Sequence, residues 1–252
     1  MYHFGLIGHP LGHSHSPQWM AYRFKQLNID AKYSLIDIDN INQFLSVIQS
    51  RQWNGFNVTI PYKRLIIPYL HSLNPTAAQI QAVNTIKVCP DNTLCGYNTD
   101  IIGFLDTLRP HLNPSIPYSA LILGNGGASQ AVQYALSTLQ IPYTIVHRHT
   151  TPPTLHSSLY TTIHYSSVTP SIISSHSIII NTTPLGMAPN AHTYPPIPYQ
   201  AITPQHIAYD LVYNPDPTLF LQKAACQGAT IISGIQMLHA QADASLRIWL
   251  DN

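Results

Sequence analysis

The sequence predicts an α/β protein in two domains. Short apolar runs alternate with stretches of helical period, the pattern of strands joined by crossover helices. One of these runs, Ala120–Leu123, passes directly into the glycine turn Gly124-Asn125-Gly126-Gly127 and then into a helix-forming segment. The 252 residues, 45% of them hydrophobic, suffice for one large core or two smaller ones.

The elements follow in order. Phe4–Gly8 reads as a buried strand. Ser16–Leu27 carries Trp19, Met20, Phe24 and Leu27 near helical spacing, behind a Ser-Pro start that suits an N-cap and a first-turn proline. Tyr33–Ile38 is the next strand, Ile41–Arg51 the next helix and Phe56–Thr59 a short strand, with Pro61 marking its end or an edge position. The alternation argues for parallel sheets. Beyond Asp100, Ile101–Arg109 reads as a helix stopped at Pro110. Ala120–Leu123, the helix Ala128–Leu139 and the strand Tyr143–His147 form a βαβ unit. Ser177–Asn181 and His206–Asp210 supply further strands, the proline-rich segment 186–204 reads as a surface loop, and 234–250 as a final helix.

Composition excludes several classes. A net charge of +1 gives no field to draw nucleic acid or an anionic membrane. Charged residues make up only 8%, against about 25% in ordinary soluble chains, and His, Tyr, Ser, Thr, Gln and Asn supply the polar surface. No run of about 20 apolar residues is present to span a bilayer. The three cysteines, Cys89, Cys95 and Cys226, are odd in number and lack CxxC spacing, which points to a reducing, cytoplasmic setting. The N-terminus enters a strand with no basic leader or cleavage site.

The glycine turn is the first candidate for chemistry. A pyrophosphate needs backbone N–H groups at a helix N-terminus and no side chain in the way, and Gly124, Gly126 and Gly127 stand where those demands fall. A tight βα turn without a ligand is the plainer alternative. The end of the following strand reads His147-Arg148-His149-Thr150-Thr151, without an acid. A carboxylate there would hold the ribose diol of NAD, whereas a cation favours a 2′-phosphate, and Arg148 can fork to a phosphate or stack on a base. Lys63 follows a proline turn, where a lysine is ordinarily solvated, and spacing alone does not bring it to Asp100. Ser14 and Ser16 suit local turn and cap bonding as well as a carboxylate. His9, His13 and His15 lie on one turn-rich stretch with no acidic partner, a weak metal signal.

Five blocks, in order, resemble one family: Gly8-His9-Pro10-Leu11-Gly12-His13-Ser14-His15-Ser16-Pro17, Asn57-Val58-Thr59-Ile60-Pro61-Tyr62-Lys63, Asn98-Thr99-Asp100, Gly124-Asn125-Gly126-Gly127-Ala128 and Asn181-Thr182-Thr183-Pro184-Leu185-Gly186-Met187. The segments 210–215 and 234–242 extend the match nearly end to end. The chain resembles the shikimate dehydrogenases, NADPH-linked enzymes that reduce 3-dehydroshikimate to shikimate. The resemblance implies a substrate-binding domain over 1–100 and 234–252, formed when the C-terminal helix returns to the first domain, and a Rossmann-like NADP-binding domain over 101–233. It implies Lys63 and Asp100 as catalytic residues, Ser14 and Ser16 as a carboxylate clamp, and Thr59, Asn84 and Gln241 as ligands of ring hydroxyls, with Tyr213 closing over the ring. For NADP it implies Gly124, Asn125, Gly126, Gly127, Ala128, His147, Arg148 and His149, with Thr183, Leu211 and Gly234 lining the nicotinamide pocket. The resemblance implies no metal and makes His9, His13 and His15 loop residues. The expected partner is a small-molecule substrate, with the protein a monomer or homodimer.

The chain departs from the family pattern at several places. Gln81 stands where the family usually has glycine, close to Asn84; Asn125 and Ser129 depart mildly in the glycine turn; His147 and His149 replace Asn and Thr; and Pro152-Pro153 stand where a second cation is expected after Arg148. The weaker basic signature leaves a quinate/shikimate dehydrogenase using NAD as an alternative. A non-catalytic shikimate-sensing relative is the alternative from another class.

Overall fold

A computed structural model describes residues 1–12, 14–148 and 160–251. The chain divides into two units, Met1–Gly103 with His239–Asn252, and Phe104–Leu238.

In the first unit, β1 (Tyr2–Gly8), α1 (Ser16–Gln26), β2 (Ala31–Asp37), α2 (Phe44–Gln49), β3 (Gly55–Val58), β4 (Ser72–Leu73), α3 (Pro75–Ile80), β5 (Thr85–Val88) and β6 (Leu94–Tyr97) build a six-stranded sheet of order β2-β1-β3-β5-β6-β4. Phe4 and Ile7 of β1 point to opposite faces, as strand periodicity requires. Phe4 packs with Met20, Phe24, Leu246 and Trp249, while Ile7 joins Phe44, Trp53, Phe56, Ile66 and Ile86. The sheet is not wholly parallel, as the alternation of strands and helices predicts: β5 runs antiparallel to both β3 and β6. The reason is local. Only Cys89–Thr93 separates β5 from β6, too short for a crossover helix, and Asp91 Oδ1 fixes the turn by accepting the Thr93 N–H at 3.0 Å.

Two further expectations are corrected. The predicted helix Ile41–Arg51 is a 3₁₀ turn, Ile41–Gln43, followed by α2, because Asn40 Oδ1 accepts the Asn42 N–H and starts a tighter turn. Ser16 is the first residue of α1 and not its cap; His15 holds the cap position and makes no side-chain cap bond.

Two helices carry the boundary between the units: α4 (Asp100–Leu108) and the last helix. The second unit contains β7 (Ala120–Leu123), α5 (Gly127–Thr138), β8 (Tyr143–His147), β9 (Tyr160–His164), α6 (Pro170–Ser174), β10 (Ile178–Asn181), β11 (Ile207–Asp210), α7 (Leu219–Ala225) and β12 (Thr230–Ile232). Its sheet has the order β12-β11-β10-β7-β8-β9, with every pair parallel. This is the doubly wound, Rossmann-like order, and its direction reverses between β7 and β10, the switch point beyond whose strand ends such sheets bind ligands. The last helix, α8 (Gly234–Leu250), lays Trp249 on Phe4 of the first unit with ring centroids 4.4 Å apart.

Candidate active site

Lys63 Nζ and Asp100 Oδ2 stand 2.6 Å apart, both largely shielded, with side chains 26% and 14% exposed. Backbone bonds bring them together. The Lys63 carbonyl accepts the Val83 N–H at 2.7 Å, which ties the proline turn to the strand entry beside Asn84. Asp100 opens α4, where its N–H donates to Asn98 Oδ1 at 3.1 Å. Its second carboxylate oxygen, Oδ1, accepts Asn84 Nδ2 at 2.8 Å. The amide of Asn84 has one possible orientation, because its Oδ1 accepts the backbone N–H of Thr99 at 2.7 Å.

Gln241 of α8 belongs to the same cluster, with Oε1 at 3.4 Å from both Asn84 Nδ2 and Thr99 Oγ1. Thr59 follows β3 and donates its N–H to Ile7 O at 2.8 Å. Ser14 and Ser16 are joined by a Ser16 N–H to Ser14 Oγ bond of 3.3 Å at the start of α1. The loop before them is anchored by Asp37, whose carboxylate accepts the Leu11 N–H at 2.9 Å and His9 Nδ1 at 2.6 Å. The Leu11 N–H first, and then His9, hold the Asp37 carboxyl below the usual carboxylate range.

In the second unit the glycine turn lies at the switch point. Gly124 has φ +109°, and a Cβ on it would lie 2.9 Å from both Thr182 Oγ1 and Thr183 Cγ2, so only glycine fits. The structure thus brings Thr183 against the turn, and Asn181 Oδ1 holds it by accepting Thr183 Oγ1–H at 2.6 Å. Asn125, Gly126, Gly127 and Ala128 are exposed at the start of α5, and a Cβ on Gly126 or Gly127 would meet nothing within 4 Å. The open cradle at a helix N-terminus suits a pyrophosphate. His147 ends β8 with Nδ1 buried and without a hydrogen-bond partner among the described residues; Arg148 beside it is exposed, and His149 lies outside the described residues. Leu211 and Gly234 are neighbours, since a Cβ on Gly234 would fall 2.5 Å from the Leu211 carbonyl. Tyr213 is partly buried in this unit, which raises its phenol pKa.

Sequence reasoning leaves out the residues beneath the Lys63–Asp100 pair: Asn57, Thr85, Thr99 and Ser245. The available signal is the spacing of Ser245 from Gln241, four residues apart on one helix face. Among the described residues no three His, Cys, Asp or Glu side chains converge as metal ligands.

Residues 6–86 match the family model described as the shikimate dehydrogenase substrate binding domain. The chain is 35% identical to the shikimate dehydrogenase (NADP(+)) of Methanococcus aeolicus, across 97% of this chain and 90% of that one. The crystal structure of shikimate dehydrogenase 1 from Peptoclostridium difficile superimposes with a TM-score of 0.88 at 36% identity, covering 100% of this chain and 93% of that one. Shikimate 5-dehydrogenase from Thermus thermophilus, solved with NADP(H) and shikimate, gives a TM-score of 0.85 at 28% identity over 100% and 94%.

Proposed function

This chain belongs to the shikimate dehydrogenase family, and from that premise we propose how its own residues perform the reaction. The protein is an NADP-dependent oxidoreductase that interconverts 3-dehydroshikimate and shikimate. The observation that carries the mechanism is the 2.6 Å contact of Lys63 Nζ with Asp100 Oδ2.

Reduction of a ketone adds a hydride to carbon and a proton to oxygen. Bound NADPH supplies the hydride. The Lys63–Asp100 pair supplies the proton to the developing alkoxide and takes it back from the hydroxyl in the reverse direction. Asp100 holds the ammonium in place, and Asn84 keeps the carboxylate from rotating. Ser14 and Ser16 offer hydroxyls to the substrate carboxylate, Thr59 and Gln241 bind ring hydroxyls, and Tyr213 contributes an aromatic face. The amide of Asn84 is engaged with Asp100 and, at 3.4 Å, with Gln241 Oε1, so its main part is to orient that carboxylate, and a ring hydroxyl would take the place of the long Gln241 contact.

The residues of the second unit fit the dinucleotide. The Gly124–Ala128 turn receives the pyrophosphate at the N-terminus of α5, while Thr183, Leu211 and Gly234 line the nicotinamide side. The absence of an acid directly after β8 and the exposed Arg148 guanidinium suit a 2′-phosphate. No helix among the described residues is long and apolar enough to cross a membrane. Our reading extends to a cytoplasmic enzyme working as a monomer or homodimer.

The test is oxidation of shikimate with NADP and with NAD, in the wild type and in Lys63→Ala. We expect turnover with NADP, and a loss of at least about 100-fold in kcat for the variant, the usual share of a positioned acid–base group. Near-wild-type turnover by Lys63→Ala would remove the lysine from the mechanism. Binding of shikimate without turnover by the wild type would bring the sensor alternative forward.

A further inference from the structure

Beneath the proton pair lies a cluster of neutral polar groups that the reaction does not use. Asn57, Asn84, Thr85, Thr99, Gln241 and Ser245 are all at most 9% exposed, and Thr85, Thr99 and Ser245 are fully buried. The hydroxyls of those last three form a triangle: Thr85 to Ser245 is 2.8 Å, Thr99 to Ser245 is 3.1 Å and Thr85 to Thr99 is 3.0 Å. Buried polar groups arranged this closely are tightly specified, because each donor left without an acceptor is costly.

The supply of protons gives the cluster a direction. Ser245 Oγ lies 3.0 Å from the Gln241 carbonyl, which can only accept, so the single Ser245 proton is committed there. Toward everything else Ser245 is an acceptor. It takes an Asn57 Nδ2–H at 2.9 Å and the proton of one threonine. The orientation of Asn57 is set in turn by Tyr33, whose hydroxyl donates to Asn57 Oδ1 at 2.8 Å. The other threonine hydroxyl donates to Asn84 Oδ1, from 3.0 Å if Thr85 or 3.1 Å if Thr99, both shorter than the 3.4 Å from Thr99 to the other acceptor in reach, Gln241 Oε1. With the Thr99 N–H on the same oxygen, Asn84 has its carbonyl end fully committed below and its N–H end presented to Asp100 Oδ1.

We propose that Ser245 is a positioning residue for the proton pair: as an acceptor beneath Thr85 and Thr99, it fixes the Asn84 amide and thereby the Asp100 carboxylate that holds Lys63. The proposal rests on Lys63 and Asp100 being the acid–base pair. Ser245 reaches neither side chain directly, and its effect travels through two fixed hydrogen-bonded links. The charged side chain paired with Asp100 among the described residues is Lys63; its other contacts, Asn84 and Asn98, are neutral.

In Ser245→Ala, one threonine hydroxyl loses its acceptor and Asn57 Nδ2 is left with its 3.2 Å contacts to the Asn84 backbone carbonyl and Thr85 Oγ1, so the bonds that aim the Asn84 amide at Asp100 rearrange. Two measurements test this. The first follows the Asp100 carboxyl by ¹³C NMR against pH, with no need of turnover. The midpoint should rise by up to about one pH unit in Ser245→Ala, the effect of a weakened bond to the charged form. The second is kinetic: kcat should fall about tenfold with KM for shikimate held within about twofold, and the acid limb of the kcat–pH profile should move with the NMR midpoint. Thr85→Val should reproduce both effects, Thr85→Ser should not, and the Ser245→Ala/Thr85→Val double variant should lose less than the product of the single losses. Should Ser245→Ala not fold, the two Thr85 variants make the same comparison without touching α8. An unmoved Asp100 midpoint, or a change confined to thermal stability, overturns the proposal. A moved midpoint in an enzyme whose wild type does not oxidise shikimate sustains the positioning role and overturns the functional reading instead.

Discussion

Gln81 shows what one residue costs. It ends α3 in the left-handed conformation, φ 52° and ψ 42°, where glycine carries no penalty and a side chain costs about 1 kcal/mol. The family resemblance implies glycine at this position. The left-handed turn lets the chain reverse from α3 into Ala82-Val83-Asn84, so the strained residue lies directly ahead of the segment that orients Asp100. Partial relief comes from the Gln81 Nε2 bond to the Ala78 carbonyl at 2.6 Å, on an exposed surface where such bonds are worth little. Gln81→Gly is therefore expected to stabilise the protein by about 1 kcal/mol, a rise of roughly 2–4 °C in Tm for a chain of this size. A lowered midpoint in thermal unfolding would show that the side-chain bond, with the lower backbone entropy of the unfolded glutamine chain, outweighs the strain.

At the scale of elements, β7 with its glycine turn borders the switch point of a parallel sheet, and β8 with His147-Arg148 pairs with it on the other side. In the proposed function this pair of strands selects between the two cofactors. Arg148→Ala is expected to raise KM for NADP by about tenfold, the size of one charge-assisted phosphate contact, while leaving KM for NAD within about threefold. Equal losses for both cofactors in paired kinetics would make Arg148 a general base-stacking residue. Elements with a strong repeating signal are legible in the sequence: β7 and β8 are four and five apolar-rich residues bounded by turns, and α8 carries its period through 17 residues. β4, β12 and the β5–β6 hairpin are not, because two to four residues give no period to count, and long-range pairing decides their conformation. The site divides similarly. The glycine turn is local and can be read directly. Lys63 and Asp100 are separated by 37 residues and meet only because the Lys63 carbonyl binds Val83, so the motifs name them and their contact needs the fold. Ser245 belongs to no such motif, and only the tracing of hydrogen bonds from donor to acceptor finds it.

The whole molecule carries only ten acidic residues, so a single unusual carboxyl can shape its stability against pH. Asp210, at the end of β11, is fully buried, and burial pushes its pKa up to about 7 despite donors from Thr218 Oγ1, the Val212 N–H and Asn181 Nδ2. A carboxyl whose folded pKa is raised stabilises fully below its unfolded value near 4, and that stability is lost as pH rises toward about 7. His176 works in the opposite direction. Its Nδ1 donates to the Ile172 carbonyl at 2.7 Å, and its Nε2 lies 2.9 Å from Thr144 Oγ1. Burial lowers its pKa, and its contribution is lost as pH falls below the ordinary histidine range. Between about pH 4 and 7 the two slopes oppose each other, and the wild-type profile should be shallow. Asp210→Asn mimics the protonated acid: its carbonyl accepts from Val212 and Asn181, and its amide donates to Thr218, whose hydroxyl can turn to accept. That variant is expected to match the wild type near pH 4 and to exceed it by roughly 2–4 kcal/mol above pH 7, with a stability curve that climbs toward neutral pH as His176 and His239, both lowered by burial, lose their protons. Thermal midpoints of both proteins from pH 4 to 8 decide it. Parallel curves would mean that the three donors keep Asp210 ionised throughout and that burial is fully offset by hydrogen bonding.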